Sequence, residues 1–212
     1  MNDTHNGEEL AAQASSLRWL ARAFWNVPDQ AWLDAFDGEE LRAAGVSTDI
    51  AGRLADAISS AGEGFLRDAA VDYTSLFASS DLAAPHPYES IYFGRARQMM
   101  QGCRDDVLLC YQAAGFDSAS AEPSEANEPE DHLSYELCFL AYLLDFAVYA
   151  ENVEERDLYL DEAGRFAEEH LGVWLASFVF EVSEQAGTEL YRAVAATLEE
   201  LVRSMEGSLG RS

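Results

Sequence analysis

The sequence predicts an all-α protein: a single globular helical bundle of roughly ten helices, in two packed subdomains joined by an acidic hinge. Three observations carry that prediction. Apolar residues recur at three- and four-residue spacing along nearly the whole chain, no run of apolar–polar alternation suits a strand, and one polar, acidic, proline-bearing stretch interrupts the pattern. The boundaries read from that stretch are residues 1–115 for an N-terminal helical subdomain, 116–131 for the linker or hinge, and 132–212 for a C-terminal helical subdomain. A chain of 212 residues, 49% hydrophobic, can bury about 70% of the surface its unfolded form exposes, so its charge does not mark it as disordered.

A first helix is predicted over residues 8–25, with Leu10, Leu17, Leu20, Ala21 and Phe24 on one stripe and Pro28 beyond its end. A short helix around Trp32 and Phe36 follows. Ser47 or Thr48 can cap another, in which Ile50, Leu54 and Ile58 recur every fourth residue before the break at "SSAGEG". From Phe65 the next helix carries Leu66, Ala70, Tyr73, Leu76 and Phe77. Residues 78–94, rich in proline and aromatic side chains, read as an ordered loop. Met100, Cys103, Val107, Cys110, Tyr111 and Ala114 mark a further helix, with Gly115 suited to its left-handed C-terminal position. Beyond the hinge come a helix from Pro129 to about Ala150, a charged segment over 154–170, a helix near 171–185 and a last one over 188–205.

Charge is the most unusual bulk property. Thirteen basic residues stand against 39 acidic ones, the net charge is −26, and no lysine is present. Such a surface repels nucleic acid and anionic lipid and attracts basic partners. A halophilic or GC-rich source would give the same composition, and both readings stand. The N-terminal "MNDTHNGEEL" lacks the basic and apolar regions of a signal peptide, and residues 137–150 are too short and too interrupted by Asp145 to span a membrane. A cytoplasmic location is therefore expected. Cys103, Cys110 and Cys138 match no metal or disulfide pattern and are expected as reduced, buried thiols.

The residues "EPEDH", 128–132, stand directly before the longest apolar helix and admit four readings. As a helix start, Asn127 or Glu128 would cap, Pro129 would take the first helical position, and Glu130 and Asp131 would face the positive end of the dipole. As an acid/base site, Glu128 or Asp131 would work with His132, but no nucleophile stands in an elbow motif. As a metal site, His86, His132 and His170 would combine with carboxylates, but no pattern pre-arranges two ligands on one helix face. No glycine-rich phosphate cradle is visible, and no cofactor is expected. As a recognition site, the carboxylates would pair with arginines while aromatic walls receive an apolar stretch.

In order along the chain stand "YTSLF" at 73–77, "PYESIY" at 87–92, "EPEDH" at 128–132, the apolar helix after it, and "FAEEHLGVWLASFVFEV" at 166–182. With this set the chain resembles the TorD/DmsD/NarJ family of redox-enzyme maturation chaperones. The resemblance runs from about Phe65 onward, while the first sixty residues match only as generic helices. It implies a non-enzymatic cytoplasmic chaperone that binds the twin-arginine signal peptide or the apo form of a molybdopterin-dependent reductase, and holds that precursor until cofactor insertion and export. Tyr73, Leu76, Phe77, Pro87, Ser90 and Tyr92 become candidates for the leader-binding region, together with Glu128, Pro129, Asp131 and His132. Leu76 and Phe77 also suit the core, Pro87 and Ser90 the loop turn, and His170 a satisfied helix-junction histidine. The alternatives are a small helical enzyme or nucleotide-binding protein using Glu128, Asp131 and His132, a NarJ-like assembly factor for a reductase that is not exported, or a helical adaptor. A monomer is expected, or a dimer that swaps halves at the hinge.

Overall fold

The computed structural model describes residues 3–60, 62–93, 101–121 and 128–209. The expected all-α class and helix number are found: among the described residues there is no strand, only an isolated antiparallel bridge between Tyr88 and His132. Met100, Gly94 and residues 122–127 of the predicted hinge lie outside the described residues.

Helix α1 (Asp3–Trp25) begins earlier than expected and buries its whole predicted stripe. Its main packing partner is α8 (Leu133–Tyr149), whose Ser134 hydroxyl donates to the Ala21 carbonyl at 2.7 Å. Two short helices follow, α2 (Gln30–Asp34) and α3 (Gly38–Ala43), each capped by an aspartate: Asp29 accepts from the Trp32 amide, and Asp37 from those of Glu39 and Glu40. Trp19 and Trp32 stack at 4.4 Å and exchange indole N–H to carbonyl bonds of 3.0 Å, which clamps α2 to α1. The sequence pattern missed α3, because six residues are too few for a helical period to show.

Gly45 turns the chain at φ 98°, and Ser47 then caps α4 (Thr48–Ser59), which packs on α11 (Glu189–Leu209). Helix α5 (Phe65–Leu76) runs into the loop, where "PYESIY" folds a short helix, α6 (Glu89–Tyr92). Helix α7 (Gln101–Ala114) ends at Gly115 with φ 74°, as its C-terminal signal predicted.

The start of α8 differs from the helix-start reading. Pro129 is not its first residue. A turn closes from the His132 amide to the Pro129 carbonyl at 3.1 Å, and His132 itself is the N-cap, its Nδ1 accepting from the Ser134 amide at 3.1 Å. The dipole's first turn therefore receives an imidazole acceptor, and Asp131 is turned toward a different partner. Helix α8 is buried on nearly every side, and Asp145, its interruption, pairs with Arg18 of α1 at the surface. No helix of the described residues is long and apolar enough to cross a membrane.

The stretch expected only as charged is a helix, α9 (Val153–Phe166), started by Asn152, which accepts from the Glu155 amide. It passes through a π-helical turn (Ala167–Leu171) into α10 (Gly172–Gln185), and α11 closes the chain against α10 and α4. One hydrophobic core draws on helices from both sides of residues 116–131. The three thiols form no disulfide and are half-buried, less enclosed than expected.

Candidate functional site: an aromatic pocket over the start of helix α8

Four segments meet above the start of α8. The end of α1 brings Phe24 and Trp25, the end of α5 brings Tyr73 and Phe77, the following loop brings Ser79, His86, Pro87 and Tyr88, and the turn before α8 brings Glu128 and His132. Together they enclose a pocket of about 320 Å³. The joint that holds these segments is polar. Backbone bonds run from the Glu89 amide to the Asp131 carbonyl (3.0 Å) and from the Leu133 amide to the Pro87 carbonyl (2.9 Å). The Asp131 carboxylate, 1% exposed, adds a bond from the Ser90 amide at 3.0 Å. Two stretches that are far apart in sequence are thus one local structure.

Each member of "EPEDH" has a defined partner. Glu128 accepts from the Tyr88 hydroxyl at 2.7 Å and is the one carboxylate on the pocket wall. Glu130 pairs with Arg104 of α7, which holds its carboxyl below the usual range, and its carbonyl accepts from the Tyr111 hydroxyl at 3.1 Å. His132 packs edge-on to Trp25 (5.1 Å) and Tyr88 (4.9 Å). Burial pushes its pKa down to about 3, so the ring is neutral, and with Nδ1 accepting from Ser134 its proton sits on Nε2. Burial, then the Glu128 charge, raises the Tyr73 hydroxyl to about 12, and that hydroxyl donates to the Trp25 carbonyl at 2.7 Å. The pocket therefore presents neutral aromatic and imidazole walls around a single anionic group.

Five of the residues named from the sequence line this pocket: Tyr73, Phe77, Pro87, Glu128 and His132. Three others lie under it. Leu76 is core, and Ser90 and Asp131 are buried in the joint. Pro129 supplies the carbonyl of the turn. Tyr92 stands elsewhere, stacked on Trp174 at 5.2 Å and donating to Glu181 at 3.0 Å. The wall residues Phe24, Trp25, Tyr88 and His86 were not among the leader-binding candidates, and His86 had been named only in the metal reading. Tyr88 sits inside a quoted motif, but the α1 pair had only its core periodicity to mark it.

A second polar cluster lies deeper. His170, on the π-turn, faces Glu89 with Nδ1 3.0 Å from Oε2 and Cys110 Sγ 3.7 Å from Nε2, which is the satisfied junction histidine expected. Glu136, fully buried on α8, has no hydrogen bond of normal geometry to either oxygen. Burial first, then the charges of Glu89 and Asp131, raise its carboxyl well above the ordinary range. No group of three or more potential metal ligands occurs among the described residues. The Asp131 carboxylate and His132 Nδ1 are committed to backbone amides, and Glu128 to the Tyr88 hydroxyl.

Comparison with known proteins agrees with this reading of the motifs. A protein of Vibrio cholerae serotype O1 named chaperone protein TorD is 31% identical over 132 residues, covering 59% of this chain and 55% of that protein. Its namesake in Photobacterium profundum is 28% identical over 109 residues (51% and 49%), and that of Aliivibrio salmonicida 24% over 185 residues (83% and 84%). The chain thus spans about half the length of the first two of these relatives. A solved chain from Archaeoglobus fulgidus, described provisionally as a redox enzyme maturation protein, aligns over 93% of this chain and 94% of its own at 19% identity and TM-score 0.49. The profile of the nitrate reductase delta subunit family matches residues 42–179, about two thirds of the chain and both motif-bearing segments, and the protein belongs to that family, which includes the TorD and NarJ chaperones.

Proposed function

We propose that this protein is a non-enzymatic maturation chaperone acting in the cytoplasm. On this reading it binds the twin-arginine leader on the precursor of a molybdopterin-containing oxidoreductase and holds that precursor until its cofactor is inserted. The observation that carries the reading is the pocket's composition: aromatic walls, a neutral imidazole and one carboxylate. A guanidinium can pair with Glu128 while its plane stacks on a neighbouring ring, and the apolar part of a leader can lie against Phe24, Trp25 and Phe77. Curated relatives named as chaperones support the class.

The test is a calorimetric titration with a synthetic leader carrying consecutive arginines and an apolar stretch. Glu128→Gln is expected to weaken binding about tenfold or more while leaving thermal stability near native, because a charge-assisted bond is worth about 1.5–3 kcal/mol. A leader with lysines in place of the arginines binds more weakly to the native protein. Absence of binding by the native protein, or equal affinity for Glu128→Gln, would overturn the assignment.

A further inference from the structure

A second concave surface lies toward the other end of α8, about 16 Å along the helix axis from His132 to Leu143 at 1.5 Å per residue. It encloses about 340 Å³ between the end of α7 and the middle of α9, with Ala113 on one wall, Leu158 and Tyr159 on the other, and Leu143 as its floor. Its surroundings are apolar. Leu158 is 70% exposed, and Leu109, one turn before Ala113 on the same face of α7, is 62% exposed. Phe146, half-exposed, packs on Tyr159 at 5.2 Å and extends the patch along α8. The rim is charged and predominantly negative: Glu155 and Glu162 line the groove, Arg165 is held by Glu162, and exposed Asp157 and Asp161 continue the acidic side of α9.

We propose that this groove docks a basic amphipathic helix of another protein, independently of the aromatic pocket. The apolar strip lies between Ala113 and Ala114 of α7 and Leu158 and Tyr159 of α9, and such a groove suits anchors at i, i+3 and i+4. The acidic rim complements arginine or lysine on the flanks of such a helix. A second copy of this chain is the wrong occupant, since each carries −26. The same charge disfavours an anionic lipid surface.

The probe is a fluorescein-labelled 14-residue peptide with leucines at helical i, i+3, i+4 and i+7 positions and arginines on the flanks, beside a scrambled peptide of identical composition. Anisotropy is read at physiological ionic strength. The native protein should bind the amphipathic peptide and induce helical circular dichroism in it. The double variant Leu109→Glu/Leu158→Glu should bind it about tenfold more weakly, the scale expected for loss of central apolar anchors, and the scrambled peptide should bind native protein no better than that. Both leucines are exposed, so the variant should keep the native far-ultraviolet spectrum and melting temperature. Filling the aromatic pocket with excess unlabelled leader peptide should leave the affinity unchanged, which separates this surface from the leader pocket. Equal affinity for the scrambled peptide or for the double variant overturns the proposal. So does displacement of the peptide by that leader, which would place it in the other pocket, or a concentration-dependent dimer in sedimentation that the double variant abolishes, which would make the groove a self-interface.

Discussion

Glu136 and His132 stand one helical turn apart at the start of α8, both held uncharged by burial, and they respond to pH in opposite senses. For Glu136 the folded carboxyl lies above its unfolded value. Its contribution is complete below the ordinary carboxyl range and is lost as pH rises through the raised folded value. Glu136→Gln cannot ionise, so it should gain stability relative to the native protein as pH rises. Urea melts at pH 5 and pH 8 check this: stability relative to native should be higher at pH 8, and no rise between the two would refute it. For His132 the folded value, about 3, lies below the unfolded 6.5, so stability is present above 6.5 and is lost as pH falls toward 3. His132→Asn, which keeps an acceptor for the Ser134 amide, should narrow the stability difference between pH 7 and pH 5. A difference as wide as native would show that the imidazole is not the group being charged. The sequence located His132 through its motif, whereas nothing in the sequence singled out Glu136. Its peculiarity comes first from burial and then from the charges of Glu89 and Asp131, and neither the burial nor Glu89 is shown by a local pattern.

At the scale of elements, the joints between segments are made by aspartates whose partners are distant in sequence. Asp72, in the turn of α5 just before "YTSLF", accepts from the Gly187 and Thr188 amides, both at 2.8 Å, and from the Thr188 hydroxyl at 2.5 Å, so it caps α11 from another helix. Asp131 does the same for α6 through the Ser90 amide. Asp72→Ala and Asp131→Ala should each cost about 1.5–3 kcal/mol in thermal denaturation, since the bonds are charge-assisted. Their order in leader binding should differ: Asp131→Ala loosens the loop that carries Pro87 and Tyr88 and weakens binding at a temperature where the protein is still folded, while Asp72→Ala spares it. Helix periods made α1, α4, α5, α7, α10 and α11 legible to within a few residues. The start of α8 was misread because "EPED" has the local chemistry of a helix start, yet a competing tertiary bond turns Asp131 away and passes the cap to His132. Helix α9 was passed over because its stripe is thin, with only Ala163 and Phe166 buried. Five of ten named site residues reach the pocket, since the motifs mark the joint and the wall together and only the fold separates them.

Across the whole molecule one core joins helices from both sides of residues 116–131, and the net charge of −26 surrounds it without lysine. That charge acts on two quantities with opposite sign. Like charges crowded on a compact surface repel one another, so added salt should raise the melting temperature by screening that repulsion, with the Debye length shrinking from about 10 Å at 0.1 M to about 3 Å at 1 M. The same screening removes the long-range pull on an arginine-bearing leader, so its association rate should fall about tenfold or more over that range. Dissociation should change less, because the bond at Glu128 is half-buried and the apolar contacts are insensitive to ionic strength. Stopped-flow fluorescence of Trp25, on the pocket wall, alongside calorimetric melts in the same buffers, reads both effects at once. A melting temperature that drops with salt would mean that the exposed arginine–carboxylate pairs, such as Arg53 with Glu189 and Arg22 with Asp29, outweigh the repulsion. Pairs of that kind contribute about 0–1 kcal/mol each. An association rate indifferent to salt would mean that the acidic surface does not steer the leader, and the excess carboxylates would then serve solubility alone.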